Sequence, residues 1–217
     1  MPTVEKLDCL VADQLKAKTS GAIIGREIIV LAQTSSTNDD ISRIASTDGP
    51  PFIPEGLVIF AEHQTGGRGQ RGNRWESTAA KGLWFSILLR PEIPVSDSGQ
   101  LTIWAIQAIS DVIRSELGLE PAIKSPNDVQ LYGRKVAGVL VEMRAQNKAP
   151  HLAVVGIGIN VNQYRDDFPA ELQDRAISLA IALGRQVDRQ NFAVALLRYL
   201  DRTYREKFAS AGCSRGR

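Results

Sequence analysis

The sequence predicts an α+β fold: a mixed, largely antiparallel sheet with helices packed on it. Strand-like apolar runs come in pairs joined by tight turns, as at Val129–Tyr132 and Lys135–Met143 around Gly133-Arg134, and such pairs favour antiparallel neighbours. Helices are interspersed among these pairs, which favours a sheet packed by helices over a doubly wound parallel one. A third observation bears on the rival. Gly67, Gly69 and Gly72 match G-x-G-x-x-G after the apolar run Leu57–Ala61, yet Asn73 to Gly82 shows no helical period. A dinucleotide-binding turn must open a helix, and here that helix is missing.

The elements follow in order. Residues 6–18 read as an amphipathic helix with Leu7, Leu10, Val11 and Leu15 on one face. Gly21 and Gly25 mark loop, Glu27–Ala32 suits a strand, and the polar turn Gln33–Asp40 offers caps for a helix reaching Ala45. The Pro-rich stretch Gly49–Pro54 is a loop before the strand 57–61, and a further strand covers 83–90. Over 98–117, Leu101, Trp104, Ala105, Ala108, Ile109, Val112 and Ile113 fall at helical spacing, and Gly118 supplies the stop. A strand ends near Lys124, a turn occupies Ser125–Asp128, and the pair 129–132 and 135–143 follows. His151–Val161 is strand-like, and its glycines mark close approach by a ligand or another backbone. Helices at Ala176–Leu183 and Asn191–Phe208 precede a frayed tail at 209–217.

At 217 residues the chain fits one sizeable domain, read as a single unit over 1–217. A formal charge of +2 is too small to argue for nucleic-acid binding. Cys9 and Cys213 share no metal-ligand spacing and are too few for a disulfide framework, so both read as free thiols. The N-terminus lacks the apolar region of a signal peptide, and no apolar run reaches membrane-spanning length. The expectation is a cytoplasmic protein with neither membrane nor nucleic-acid partners.

The basic character is local. Gly66-Gly67-Arg68-Gly69-Gln70-Arg71-Gly72-Asn73-Arg74-Trp75 is a glycine-rich loop with three arginines and a closing tryptophan. Glycines let backbone N–H groups approach a ligand, and guanidinium forks supply charge-assisted bonds to phosphate or carboxylate. Other polar clusters stand at the ends of expected strands: Ser36-Thr37-Asn38, Gln64, Asn127-Asp128 and Lys135. Taken singly, Ser36 or Thr37 reads as a helix cap, Asn127-Asp128 as a turn, and Lys135 as a solvated strand-end charge.

Together these residues resemble the biotin protein ligases, the biotin–[acetyl-CoA-carboxylase] ligases. The resemblance rests on Ser36-Thr37-Asn38-Asp39, on Ala61-Glu62-His63-Gln64 running into Gly67-Arg68-Gly69, and on Trp75. It continues in Lys124-Ser125-Pro126-Asn127-Asp128, Lys135–Glu142 and Gly156-Ile157-Gly158-Ile159-Asn160-Val161. The order and approximate spacing hold across residues 34–162. The resemblance implies the catalytic fold shared by biotin and lipoate protein ligases, which is similar to that of class II aminoacyl-tRNA synthetases.

It also implies a two-step reaction. The carboxylate of biotin attacks the α-phosphate of ATP, giving biotinyl-5′-adenylate and pyrophosphate, and a lysine of a biotin carboxyl carrier domain then attacks the mixed anhydride. Such a site must supply positive charge where carboxylate and triphosphate meet, and Arg68 and Lys135 are the candidates, as catalytic and biotin-contacting groups. By resemblance Ser36, Thr37, Asn38 and Gln64 read the ureido group, with Gly69 and Gln70 completing the biotin-facing loop. Arg68, Arg71, Arg74, Trp75, Asn127 and Asn160 face the nucleotide, with Trp75 over the adenine. Magnesium is expected with the ATP phosphates, and Asp128 is the one candidate to hold it or to order its turn. Biotin is expected to order the loop first and the adenylate further.

The chain departs from the family pattern in places. Gln70 and Asn73 stand where the family usually carries arginine, implying looser retention of the adenylate, and Ser125 replaces a tryptophan. No N-terminal helix-turn-helix domain and no C-terminal β-barrel domain are expected. Family members often form homodimers, so a homodimer is implied without an identified interface. The rivals are a lipoate or octanoate ligase or transferase of the same fold, and a non-catalytic sensor of biotin or its adenylate.

Overall fold

The structure is a computed structural model that describes residues 9–45, 53–145 and 151–209. Leu7 of the expected first helix, most of the Pro-rich loop, Cys213 and the tail from 210 lie outside the described residues. The described elements are α1 (Ala12–Lys18), β1 (Glu27–Leu31), α2 (Thr37–Ala45), β2 (Leu57–Ala61), β3 (Gly82–Leu89), α3 (Gly99–Leu117), β4 (Ala122–Lys124), β5 (Asp128–Leu131), β6 (Arg134–Arg144), β7 (Leu152–Asn160), α4 (Leu179–Leu183) and α5 (Arg189–Tyr204). Among the described residues no helix is long and apolar enough to cross a membrane.

The strands form one sheet in the order β1-β2-β3-β7-β6-β5-β4. Only β1 and β2 pair in parallel, and every other neighbouring pair is antiparallel. The expected mixed, largely antiparallel sheet is therefore the one observed.

Period-2 alternation divides the sheet into two faces. One face carries Val58, Phe60, Leu83, Phe85, Ile87, Val155, Ile157 and Ile159 into the main core with α1, α3 and α5. The residues expected on the inner side of α3, from Leu101 to Ile113, all lie in that core. Each aliphatic side chain so buried contributes about 1.5–3 kcal/mol. The other face is covered by α2 through a smaller cluster of Ile41, Leu57, Ile59, Leu88, Leu152 and Val154. Beyond α2 this second face stays open, and the register places Ser86, Gly156 and Leu140 in one cross-strand row and Trp84, Gly158 and Gly138 in the next.

Two helices start later than the sequence reading places them. Helix α1 begins at Ala12 rather than at residue 6, because the Leu10 N–H is drawn to Glu62 Oε1 at 2.6 Å. Helix α4 begins at Leu179, not Ala176, with Ser178 as its cap. Ala176 is instead held in a parallel bridge to Lys135.

Candidate active site

The open half of the second face is where the polar strand ends meet. Ser36, Thr37 and Asn38 sit at the start of α2 and are buried. Gln64 follows β2, in a parallel bridge with Thr34. Its Oε1 accepts the Thr37 N–H at 2.9 Å and the Thr37 hydroxyl at 3.1 Å. The network continues inward. The Thr37 and Ser86 hydroxyls lie 2.7 Å apart, Ser86 donates to Asn38 Oδ1 at 2.5 Å, and Asn38 Nδ2 donates to Glu142 Oε2 at 2.7 Å. Most buried polar groups in folded proteins are partnered in this way.

The glycine-rich loop folds back on itself. Arg68 and Arg74 form an antiparallel bridge, the Trp75 N–H reaches Gly67 O at 3.0 Å, and the Gly69 N–H reaches Asn73 O at 2.7 Å. A single turn at Gln70–Gly72 closes the tip, with Arg71 in the left-handed region at φ 58°. This hairpin delivers Arg68 to two carboxylates. Its guanidinium donates to both oxygens of Glu142 at 2.9 Å and to Asp39 Oδ1 at 2.6 Å.

Lys135 enters from the start of β6. Its Nζ lies 2.7 Å from Asp128 Oδ1 and 5.1 Å from the centre of the Trp75 ring. The backbone of Lys135 is clamped, with its N–H donating to Arg175 O at 2.8 Å and its carbonyl accepting from the Ile177 N–H at 2.9 Å. The Trp75 indole lies on the strand glycines: a Cβ at Gly158 would stand 2.5 Å from its ring. A Cβ at Gly156 would stand 2.3 Å from Asn38 Oδ1. The close approach expected at these glycines is thus made by the site's own side chains. The indole Nε1 is buried without a hydrogen-bond partner.

Two adjoining clefts result. The first is lined by Ser36, Thr37, Asn38, Gln64, Arg68, Gly69 and Lys135 among others. The second, the larger of the two, is lined by Arg74, Lys124, Asp128, Asn160 and Arg175 among others. Trp75 and Lys135 line both.

The remaining candidates are placed differently. Gln70 and Arg71 sit at the loop tip and line neither cleft. Asn127 lines the first cleft, not the second, and its amide donates to Val139 O at 3.1 Å. Asn160 is buried at the edge of the second cleft, where its amide donates to Ile177 O at 3.2 Å and to Lys135 O at 3.4 Å, a bracing role. Asp128 is engaged with Lys135, and the described residues hold no group of three metal-ligating side chains. Among the described residues there is thus no protein cage for magnesium.

Sequence reading missed the acidic partners of Arg68. Asp39 and Glu142 lay within the quoted motifs, but nothing local marks a carboxylate as the partner of an arginine 29 or 74 residues away. It also missed that Glu62 is committed to the buried Arg189, through contacts of 2.7 and 2.9 Å.

Residues 30–160 match the model of the biotin/lipoate A/B protein ligase family. The chain is 37% identical over 184 residues to the bifunctional ligase/repressor BirA of Bacillus subtilis, covering 85% of this chain and 55% of that protein. It is 36% identical over 193 residues to the biotin–[acetyl-CoA-carboxylase] ligase of Mycobacterium tuberculosis, covering 87% of this chain and 67% of that one. Among solved structures, the biotin protein ligase from Aquifex aeolicus in complex with biotin and ATP matches with a TM-score of 0.67 at 30% identity, over 83% of this chain and 72% of that one. The chain spans about half the length of the BirA relatives it matches.

Proposed function

The chain belongs to the biotin/lipoate A/B protein ligase family, and from that premise we propose that it activates biotin with ATP as biotinyl-5′-adenylate and transfers it to a lysine of a carrier domain. The acceptor in this reading is the biotin carboxyl carrier domain of acetyl-CoA carboxylase, in the cytoplasm. One observation carries the reading: Lys135 stands in the wall common to two clefts. A polar, closely lined cleft suits a neutral urea and a short acyl chain. The larger cleft, with Trp75 at its edge, suits a nucleotide. A lysine between them is where a carboxylate and a phosphate must be brought together against their repulsion.

In this reading Thr37 and Gln64, already paired with one another, exchange that pairing for the ureido group. Lys135 leaves Asp128 for the reacting oxygens, while Arg68 leaves Glu142 and Asp39 to close over them. Both cations already line the first cleft, so an exchange of partners on substrate binding brings them to where charge develops. Magnesium would arrive on the triphosphate.

The direct test is pyrophosphate release that depends on biotin, followed by biotin transfer to a purified carrier domain. Lys135→Ala is expected to lower adenylate formation by about 100- to 1000-fold, the usual cost of removing one preorganised charge-stabilising group. Release that is indifferent to biotin, or equal with lipoate, would count against the proposal.

A further inference from the structure

The motif Ala61-Glu62-His63-Gln64 contains a carboxylate that the proposed chemistry does not use. Glu62 lines neither cleft, and its side chain, 11% exposed, holds the fully buried Arg189. Both terminal guanidinium nitrogens of Arg189 donate to Glu62 Oε2, at 2.7 and 2.9 Å, while Oε1 accepts the Leu10 N–H at 2.6 Å. The local fold does not reward a cation there: Arg189 opens α5, and the N-terminal end of a helix dipole disfavours positive charge. Stability is also a weak reason for the pair, since replacing a buried ion pair by well-packed apolar groups is often neutral or favourable. What the pair fixes is position.

Glu62 stands at the root of the loop that carries Gln64 and Arg68. Its N–H donates to Leu31 O at 2.8 Å, and its carbonyl accepts the Ala80 N–H from the returning leg at 3.0 Å. One step further, the Ser77 hydroxyl accepts the Gln64 N–H and donates to the Gln64 carbonyl, both at 2.8 Å. Gly67 with Trp75 and Arg68 with Arg74 add the next rungs. The two legs form a ladder whose lowest rung is Glu62 with Ala80, so a shift at that rung is carried to every group above it. Arg189 reaches the rung from α5, which packs on the face of the sheet opposite the clefts. The ion pair therefore ties the helical layer directly to the loop.

Resting on the proposed biotin-activating reaction, we infer that Glu62 and Arg189 are a positioning pair: they hold the root of the loop to α5, so that Gln64 and Arg68 meet biotin in a fixed place. Neither residue touches substrate. A misplacement of about 1 Å in groups that orient a reaction can cost about 100-fold in rate, and a glycine-rich loop supplies little rigidity of its own. The root must supply it.

The double variant Glu62→Gln/Arg189→Met of the intact chain is the test. It keeps an acceptor for the Leu10 N–H, leaves no unpaired charge in the interior and cuts the tie to α5. The melting temperature is expected to stay within about 3 °C. Biotin affinity in calorimetry is expected to fall about tenfold, and biotin-dependent adenylate formation about 10- to 100-fold. Hydrogen exchange over residues 62–80 should quicken about tenfold while α3 is unchanged. Arg189→Lys keeps the charge but not the fork, so it should bind biotin about threefold more weakly than the unsubstituted protein at an unchanged melting temperature, and it carries the test where the double variant does not fold. Biotin bound as tightly by the variants as by the unsubstituted protein overturns the positioning role, as does an affinity loss that appears only in step with a fall in melting temperature. Faster exchange confined to residues 62–80 in the double variant, with no biotin binding by the unsubstituted protein, supports the tie between α5 and the loop and overturns only the biotin reading.

Discussion

Arg68 reaches the site with its guanidinium already occupied, by Glu142 on one side and Asp39 on the other. Its side chain is 40% exposed and Glu142 is 33% exposed, so each pair is worth at most about 1 kcal/mol. A substrate carboxylate or phosphate can displace pairs of that strength, which makes the acids competitors with the ligand. Glu142→Gln keeps an acceptor for Asn38 and removes the competing charge. Biotin is then expected to bind severalfold more tightly, by about 3- to 10-fold in calorimetry, with melting temperature little changed. Weaker binding would assign Glu142 to aiming Arg68 instead. The two cations were legible from the sequence through the ordered motifs that carry the resemblance, since Lys135 taken singly reads only as a solvated strand-end charge. Their acidic partners were not, because pairing across the fold leaves no local trace.

At the scale of elements, the strand glycines decide what the site can hold. Gly138, Gly156 and Gly158 lie in adjacent register on the open face, and the missing side chains there make room for Trp75 and Asn38. Gly158→Ala would put a methyl group 2.5 Å from the Trp75 ring, and forced overpacking of this kind costs about 1–3 kcal/mol. Trp75 sits on the loop hairpin rather than on a strand, so the ring is expected to move before the sheet does. The outcome should be altered near-ultraviolet circular dichroism and weaker nucleotide binding, with biotin affinity less affected. An unchanged tryptophan spectrum would show that the ring does not rest there in solution. The sequence marked Gly156 and Gly158 as points of close approach, and that much was legible. Whether a ligand or a neighbouring side chain approaches depends on the fold of the loop, which alternation along β7 does not encode.

The whole molecule separates stability from chemistry by face. Helices α1, α3 and α5 cover one side of the sheet, and the clefts open on the other. The pairing of strands in sequence made the fold class readable, but the placement of β7 between β3 and β6 was not, since it is chosen by contacts distant along the chain. On the helical side, Tyr204 is 1% exposed and its hydroxyl donates to Glu55 Oε2 at 2.9 Å. Burial, with the Glu55 charge and hydrogen bond beside it, pushes the phenol well above its usual range. The unfolded chain releases this proton near pH 10 while the folded chain retains it. The neutral phenol therefore adds stability that is complete below about pH 10 and is lost as pH rises beyond, at about 1.4 kcal/mol per unit. Tyr204→Phe removes the hydrogen bond, a loss of about 0.5–1.5 kcal/mol at neutral pH, and with it this titration. Its stability deficit in urea unfolding should shrink as pH is raised from about 9 to 11.5, because titrations elsewhere cancel between the two proteins. A deficit that stays constant over that interval would mean the Tyr204 proton is not held by the folded core.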